Sequence, residues 1–236
     1  MRLSTHKNPV IDLPELRDKI LVFRDRTQAG QVLAKMLQVF RQTDTLVMAI
    51  PSGGLPVAVV IAKKLDLPLD VAVVSKITLP WDTEAGYGAV AFDGTMGFNE
   101  DLLSHLRLTE KQIETGKDQT LQKVLRRVKN FRGDLPFPEI SKKTVILVDD
   151  GLASGFTLLV AVEALRKAGA RSLMVAVPTG SFKSVLKVSE QVEALYCANI
   201  RRGWHFAVAE AYENWFDVKE EEALKIYRAF LKNRAQ

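Results

Sequence analysis

Val145-Ile146-Leu147-Val148-Asp149-Asp150-Gly151-Leu152-Ala153-Ser154-Gly155-Phe156-Thr157 runs four aliphatic residues into two carboxylates, a loop of small residues and a helical start. An uninterrupted aliphatic run is the mark of a strand buried on both faces, as in a parallel sheet. Ligands of open α/β sheets bind beyond the carboxyl ends of the strands, so Asp149 and Asp150 stand where vicinal hydroxyls of a sugar could be hydrogen-bonded. Gly151, Ala153, Ser154 and Gly155 let backbone N–H groups come close to a ligand, and the helix that follows adds its partial positive end. Together they form a candidate phosphate cradle, to which Ser154 and Thr157 add hydroxyls. The bland alternative, that the two acids merely cap the next helix, suits an isolated Asp-Asp-Gly better than this intact strand, loop and helix.

The same rhythm extends in both directions. Val32, Leu33, Met36, Leu37 and Phe40 recur at helical spacing after Thr27, and Leu46 to Ile50 reads as a buried strand broken at Pro51 to Gly54. Leu55 to Leu65 is predicted helical, Val71 to Ser75 a strand, and Ala89 to Phe98 a hairpin around Asp93-Gly94. Asn99 to Arg132 is a long polar helical stretch. A helix ends at Gly169, a strand covers Leu173 to Val177, and a further helix leads to the strand Leu195 to Ile200. Glu220 to Leu231 is an amphipathic helix. Strand and helix in alternation predict an α/β fold, a mainly parallel sheet flanked by helices in a single domain over 1–236. The region of about 79–143 breaks the rhythm and reads as an insertion, placed to act as a lid over the sheet.

Composition sets the outer bounds. The chain has 236 residues, 47% hydrophobic, with mean hydropathy +0.01, enough to bury a substantial core. No apolar run approaches the roughly 20 residues of a membrane helix, and Met1 to Lys19 lacks a signal-peptide core, so a soluble, cytoplasmic protein is expected. One cysteine, Cys197, and three scattered histidines (His6, His105, His205) argue against disulfides and a structural metal. Lys and Arg number 33 against 28 Asp and Glu, a net +5 that favours anionic partners. The densest basic stretch, Lys123, Arg126, Arg127, Lys129 and Arg132, lies on a predicted helix among acids and reads as a solvated face, which argues against nucleic acid.

A second candidate element is Ile50-Pro51-Ser52-Gly53-Gly54-Leu55-Pro56, which joins a buried strand to a helix. Adjacent glycines permit unusual dihedrals and exposed N–H groups, a natural seat for an oxygen-rich anion; an ordinary turn before a helix is the competing reading. Gly86, Gly88 and Ala91 match the spacing of a dinucleotide fingerprint, but no buried strand precedes them and a hairpin follows, so that reading is rejected. Trp204, His205, Phe206, Tyr212, Trp215 and Phe216 concentrate aromatics near the end of the chain, for base stacking, core packing or a dimer contact.

The 149–157 stretch resembles the 5-phosphoribosyl-1-pyrophosphate (PRPP) signature of type I phosphoribosyltransferases, in particular an uncharacterised PRPP-binding subfamily. The resemblance implies that fold. It also implies that Asp149 and Asp150 hold the ribose hydroxyls and that Ala153, Ser154, Gly155, Phe156 and Thr157 bind the 5-phosphate. Phe156 departs from the small residue usual there. Ser52, Gly53 and Gly54 match the pyrophosphate loop, which often contains a strained non-proline peptide, and Lys76 matches a basic residue beside it. Ser75 stands where relatives often carry Arg. The stretch Lys76 to Ala91 is similar to the mobile loop that closes over PRPP, with Glu84, Tyr87 and Gly88 among its residues. The implied activity is transfer of ribose 5-phosphate from PRPP to a nitrogenous acceptor with Mg²⁺ carried mainly by PRPP, touching Asp149 and Asp150 at most, in a homodimer. A PRPP- or nucleotide-binding regulator of the same fold is the alternative. A phosphate-accepting receiver domain fits poorly, because its acidic pair ends the first strand.

Overall fold

Nine strands and seven α-helices make up residues 8–234, the part of the chain that the computed structural model describes. In chain order they are β1 (Val10–Ile11), α1 (Arg26–Met36), β2 (Thr45–Ala49), α2 (Gly54–Leu65), β3 (Leu69–Val71), β4 (Val74–Leu79), β5 (Asp82–Ala91) and β6 (Met96–Phe98). Then follow α3 (Glu100–His105), α4 (Glu110–Arg132), β7 (Thr144–Val148), α5 (Phe156–Lys167), β8 (Ser172–Ser181), α6 (Phe182–Ser189), β9 (Ala194–Arg201) and α7 (Glu220–Arg234).

Six strands form an all-parallel sheet in the order β1-β9-β8-β7-β2-β3, with Ala49 of β2 level with Val148 of β7. Side chains alternate across it. Val47, Ala49, Ile146 and Val148 face a core shared with α1, α2 and α7, while Leu46, Met48, Val145 and Leu147 face one shared with α5 and α6. Burial on both faces is why these strands read as unbroken aliphatic runs. From β2 the chain proceeds outward to β3, and from β7 it proceeds the other way through β8 and β9. The carboxyl ends of β2 and β7 therefore flank the point where strand order reverses, the place at which open α/β sheets form a crevice.

The stretch 71–91 departs from expectation. The predicted strand Val71 to Ser75 is two strands in two sheets: β3 ends the parallel sheet at Val71, and β4 begins an antiparallel sheet β4-β5-β6 at Val74. Val71, Ala72, Val73 and Val74 are all buried, so hydrophobicity gives no hint of the change of sheet. The loop reading of Lys76 to Ala91 is likewise corrected, since these residues form most of β4 and β5 around a turn that exposes Trp81. Tyr87 is 1% exposed, its ring against Gly116 of α4, and Gly88 lies against Gly97 and Phe98 of β6. Both lie within β5, and the side chain of Glu84 lies outside the described residues. The sheet is packed between α4 and α5, where Gly97 meets Val160 and Phe156, so the inserted region stands as a layer beside α5. The hairpin at Asp93-Gly94 forms as expected, with Gly94 at φ +86°.

The predicted helical stretch Asn99 to Arg132 is two helices, α3 and α4. The second starts at a capping box. Thr109 Oγ1 accepts from the Gln112 N–H at 3.2 Å, and Gln112 Oε1 accepts from the Thr109 N–H at 2.9 Å. Thr109→Ala is expected to lower stability by about 1 kcal/mol in urea denaturation while Thr109→Ser retains it; equal midpoints for the three proteins would show that tertiary packing alone fixes this end.

Candidate functional site

Loops from β2 and β7 meet at the reversal point. Ile50 N–H donates to Val148 O at 2.8 Å, holding the two strand ends together. The Pro51–Ser52 peptide is cis. Gly53 and Gly54 then lie directly against the acid pair: a Cβ on Gly53 would fall 2.1 Å from Asp150 Oδ2, and one on Gly54 2.7 Å from Val148 O and 2.8 Å from Asp149 Cα. This revises the reason for the glycines. Gly53 has ordinary helical dihedrals, φ −61° and ψ −36°, so what the position requires is the missing side chain and not an unusual backbone.

The loop after β7 is pinned to the end of β8. Leu152 N–H donates to Thr179 O, Ser181 N–H donates to Leu152 O, and the Ser181 and Ser184 hydroxyls donate to Ala153 O. Gly155, at φ +73°, turns the chain into α5 and leaves Ala153 and Ser154 exposed over the helix N-terminus. The Phe156 ring packs toward Gly97 of β6, which accommodates its bulk without moving its backbone N–H out of the helix start. A concavity of about 170 Å³ lies here, lined by Gly151 to Leu158 with Lys76, Asp149 and Val208. Lys76, Asp149, Thr157 and Val208 also line a larger cleft of about 600 Å³ that runs over Pro51, Ser52 and Gly53 to Trp215. Every residue expected from the two loops, together with Lys76, thus borders one two-lobed groove or supports its floor; Tyr87 and Gly88 do not.

The acid pair is asymmetric. Asp150 Oδ2 accepts from Arg26 Nε at 2.9 Å and Nη2 at 2.8 Å, whereas Asp149 Oδ1 accepts from the Asp150 backbone N–H at 2.9 Å. Burial raises the Asp149 pKa well above the ordinary carboxyl value, and repulsion from Asp150 adds to the rise. Asp150 is also raised by burial, with Arg26 opposing the rise. Two acids crowded into one buried site, with raised pKa values, mark candidate functional groups.

Arg26 and its surroundings were not foreseen. Residues Leu21 to Arg24 run alongside Glu210 to Asn214, with Leu21 and Phe23 N–H donating to Glu210 and Ala211 O, and Glu213 and Asn214 N–H donating back to Phe23 and Arg24 O. This pairing sets Arg26, at the start of α1, beneath the aromatic segment. Its guanidinium lies 3.9 Å from the Trp215 ring centroid, and Nη1 donates to Phe216 O at 2.9 Å. The Tyr212 hydroxyl donates to Asp150 O at 2.6 Å. The aromatics thus divide: Tyr212 and Trp215 back the acid pair, while Trp204 is fully exposed.

The basic stretch of α4 also differs from its reading as a solvated face. Arg127 and Arg132 are buried, Arg132 paired with Asp70. Arg127 Nε donates to Glu220 Oε2 at 2.9 Å, Nη1 to Val74 O and Ser75 Oγ at 3.1 Å each, and Nη2 to Pro51 O at 3.0 Å. Burial pulls its pKa below the ordinary arginine value, with Glu220 opposing. A signal existed: Thr120, Val124, Arg127 and Phe131 form the buried row of α4, so Arg127 occupies a core-facing position in the helical repeat.

Among the described residues no group of three or more His, Cys, Asp or Glu is placed to hold a metal, and no helix is long and apolar enough to cross a membrane. Asp149 and Asp150 are hard oxygen donors suited to Mg²⁺, but only if most of its ligands arrive with a bound molecule.

Residues 101–211 match the phosphoribosyl transferase domain. Two curated Mycobacterium tuberculosis relatives, named "Putative phosphoribosyl transferase MT0597" and "Putative phosphoribosyl transferase Rv0571c", are each 30% identical over 203 residues, 86% of this chain. The chain spans about half the length of these relatives, 46%. The crystal structure of TT1426 from Thermus thermophilus superposes with a TM-score of 0.71 at 27% identity, covering 89% of this chain and 99% of that one. Residues 101–211 thus carry the match to the phosphoribosyl transferase domain, and over most of its length the chain is similar to relatives named putative phosphoribosyl transferases and shares its fold with TT1426.

Proposed function

We propose that the two-lobed groove binds PRPP and that the protein transfers its ribose 5-phosphate group to a nitrogenous acceptor, releasing pyrophosphate. The observation that carries this reading is the meeting of the Asp149-Asp150 pair, the cradle at α5 and the Pro51–Gly54 loop at one end of adjacent strands β2 and β7. The smaller lobe receives the 5-phosphate on Ala153 to Thr157, the carboxylates accept from the ribose hydroxyls, and Ser52, Gly53 and Lys76 face the diphosphate. When bound with PRPP, Mg²⁺ supplies positive charge to the leaving diphosphate, and Asp149 is the carboxylate not engaged by Arg26.

In the reaction the bond from C1 to the diphosphate oxygen breaks and its electron pair leaves with pyrophosphate. The acceptor nitrogen then donates its lone pair to the oxocarbenium-like C1 and loses a proton to solvent. Lys76 stabilises the leaving charge, and the groove holds acceptor and sugar in register. Trp215 and Val208, which line the larger lobe, offer the planar apolar surface an acceptor ring would use.

A second reading, a PRPP-binding regulator without turnover, draws on the engagement of Asp150 by Arg26. Calorimetric titration of PRPP with Mg²⁺, followed in the same sample by pyrophosphate release across a panel of bases, separates the two. Binding with release establishes transfer; binding without release on any base favours the regulator; absence of binding overturns both.

A further inference from the structure

The diphosphate end of the groove takes its positive charge from an unexpected quarter. Four cationic side chains line the larger cleft: Arg26, Lys76, Lys123 and Arg127. Arg26 is committed to Asp150. Of the other three, two come from α4, where Lys123 and Arg127 stand one helical turn apart on the same side. Lys123 is exposed at the rim, whereas the guanidinium of Arg127 is buried where the Pro51–Gly54 loop meets the start of β4. Four of the five N–H groups of Arg127 have acceptors, and these tie three separate segments: Pro51 O in the loop, Val74 O and Ser75 Oγ next to Lys76, and Glu220 at the start of α7. A planar, permanently charged fork suits such bridging; an ammonium could not reproduce it. Charge at this depth is also screened less than charge in open solvent.

We propose that Lys123 and Arg127 of α4 bind the diphosphate end of the ligand, Lys123 as a flexible charge at the rim and Arg127 as a fixed charge that also holds the Pro51–Gly54 loop against β4. This inference rests on the function proposed above. It makes the inserted region a contributor of binding residues.

The test titrates pyrophosphate with Mg²⁺, and separately ribose 5-phosphate, into wild type, Lys123→Met, Arg127→Met, Arg127→Lys and Lys129→Met, with circular dichroism to confirm folding. Lys129 is exposed on α4 and does not line the cleft, so it controls for net charge. Pyrophosphate affinity is expected to fall at least fivefold in Lys123→Met and at least thirtyfold in Arg127→Met, with part of the loss recovered in Arg127→Lys. Ribose 5-phosphate affinity should stay within twofold in all of them. If Arg127→Met does not fold, Lys123→Met decides, because its side chain is exposed. Wild type binding both ligands while Lys123→Met holds pyrophosphate as tightly as Lys129→Met would overturn this inference alone. Wild type binding neither ligand would overturn the functional reading and this inference with it.

Discussion

Asp149→Asn is expected to melt above the wild type at neutral pH while losing ligand, whereas the isosteric Asp150→Asn one residue on is expected to melt below Asp149→Asn. The folded protein raises the Asp149 pKa, so it binds that proton more tightly than the unfolded chain does. The carboxyl therefore costs stability once pH rises through the folded-state pKa, and costs nothing below the unfolded value, where both states are protonated. An amide removes that cost, a gain of about 1 kcal/mol that should fade as the solution is acidified. Asp150 has the same burial but accepts two N–H bonds from Arg26, and its replacement leaves a buried guanidinium without a charged partner. The gap between the two variants should be about 1.5 to 3 kcal/mol, or roughly 3 to 12 °C in melting temperature. Each should weaken PRPP binding by about tenfold to a hundredfold, the worth of a hydrogen bond to a charged group. Thermal melts of both proteins between pH 4 and 8 provide the check; an Asp150→Asn protein that melts above Asp149→Asn would show that Arg26 is not the counter-charge of Asp150.

Gly54→Ala should be the most damaging single-methyl change at the site. The added Cβ would meet Val148 O at 2.7 Å and Asp149 Cα at 2.8 Å, both backbone atoms at the end of a central strand with nowhere to retreat. Overpacking of this kind costs about 1 to 3 kcal/mol, and the relief available is separation of the two loops, which carries Asp149 away from the ligand. Affinity for PRPP should fall together with stability. Gly203→Ala is the control, since its nearest neighbour would be His205 O at 3.4 Å, and its denaturation midpoint should match the wild type. Unchanged stability and unchanged binding in Gly54→Ala would contradict the contact between the loops.

The parts of this molecule that could be read from the chain are those whose causes are local. The strand Val145 to Val148, the glycine turn at Gly155 and the start of the helix after it lie within thirteen consecutive residues, and each is dictated by its own side chains. The phosphate-sized lobe was legible for the same reason. What could not be read depends on partners far along the chain: Arg26 meets Asp150 across 124 positions, and Arg127 meets Glu220 across 93. Charge counting put Arg127 on a solvated face, although its place in the row with Val124 and Phe131 pointed inward. The change of sheet between Val71 and Val74 was hidden because residues buried on either side of it are equally apolar.

The long spans that close around the groove also have a consequence for the order in which the protein comes into being. A chain leaving the ribosome can form α2 early, but the acid pair then lies more than eighty residues further along. Arg26 waits for Asp150, and Arg127 waits longer, for Glu220 at the start of the last helix. Contacts that must wait for such separations are intrinsically slow to form. A nascent chain stalled before Glu220 can display most of the parallel sheet and the α5 cradle while Arg127, already within reach of Pro51, Val74 and Ser75, still lacks its acidic partner.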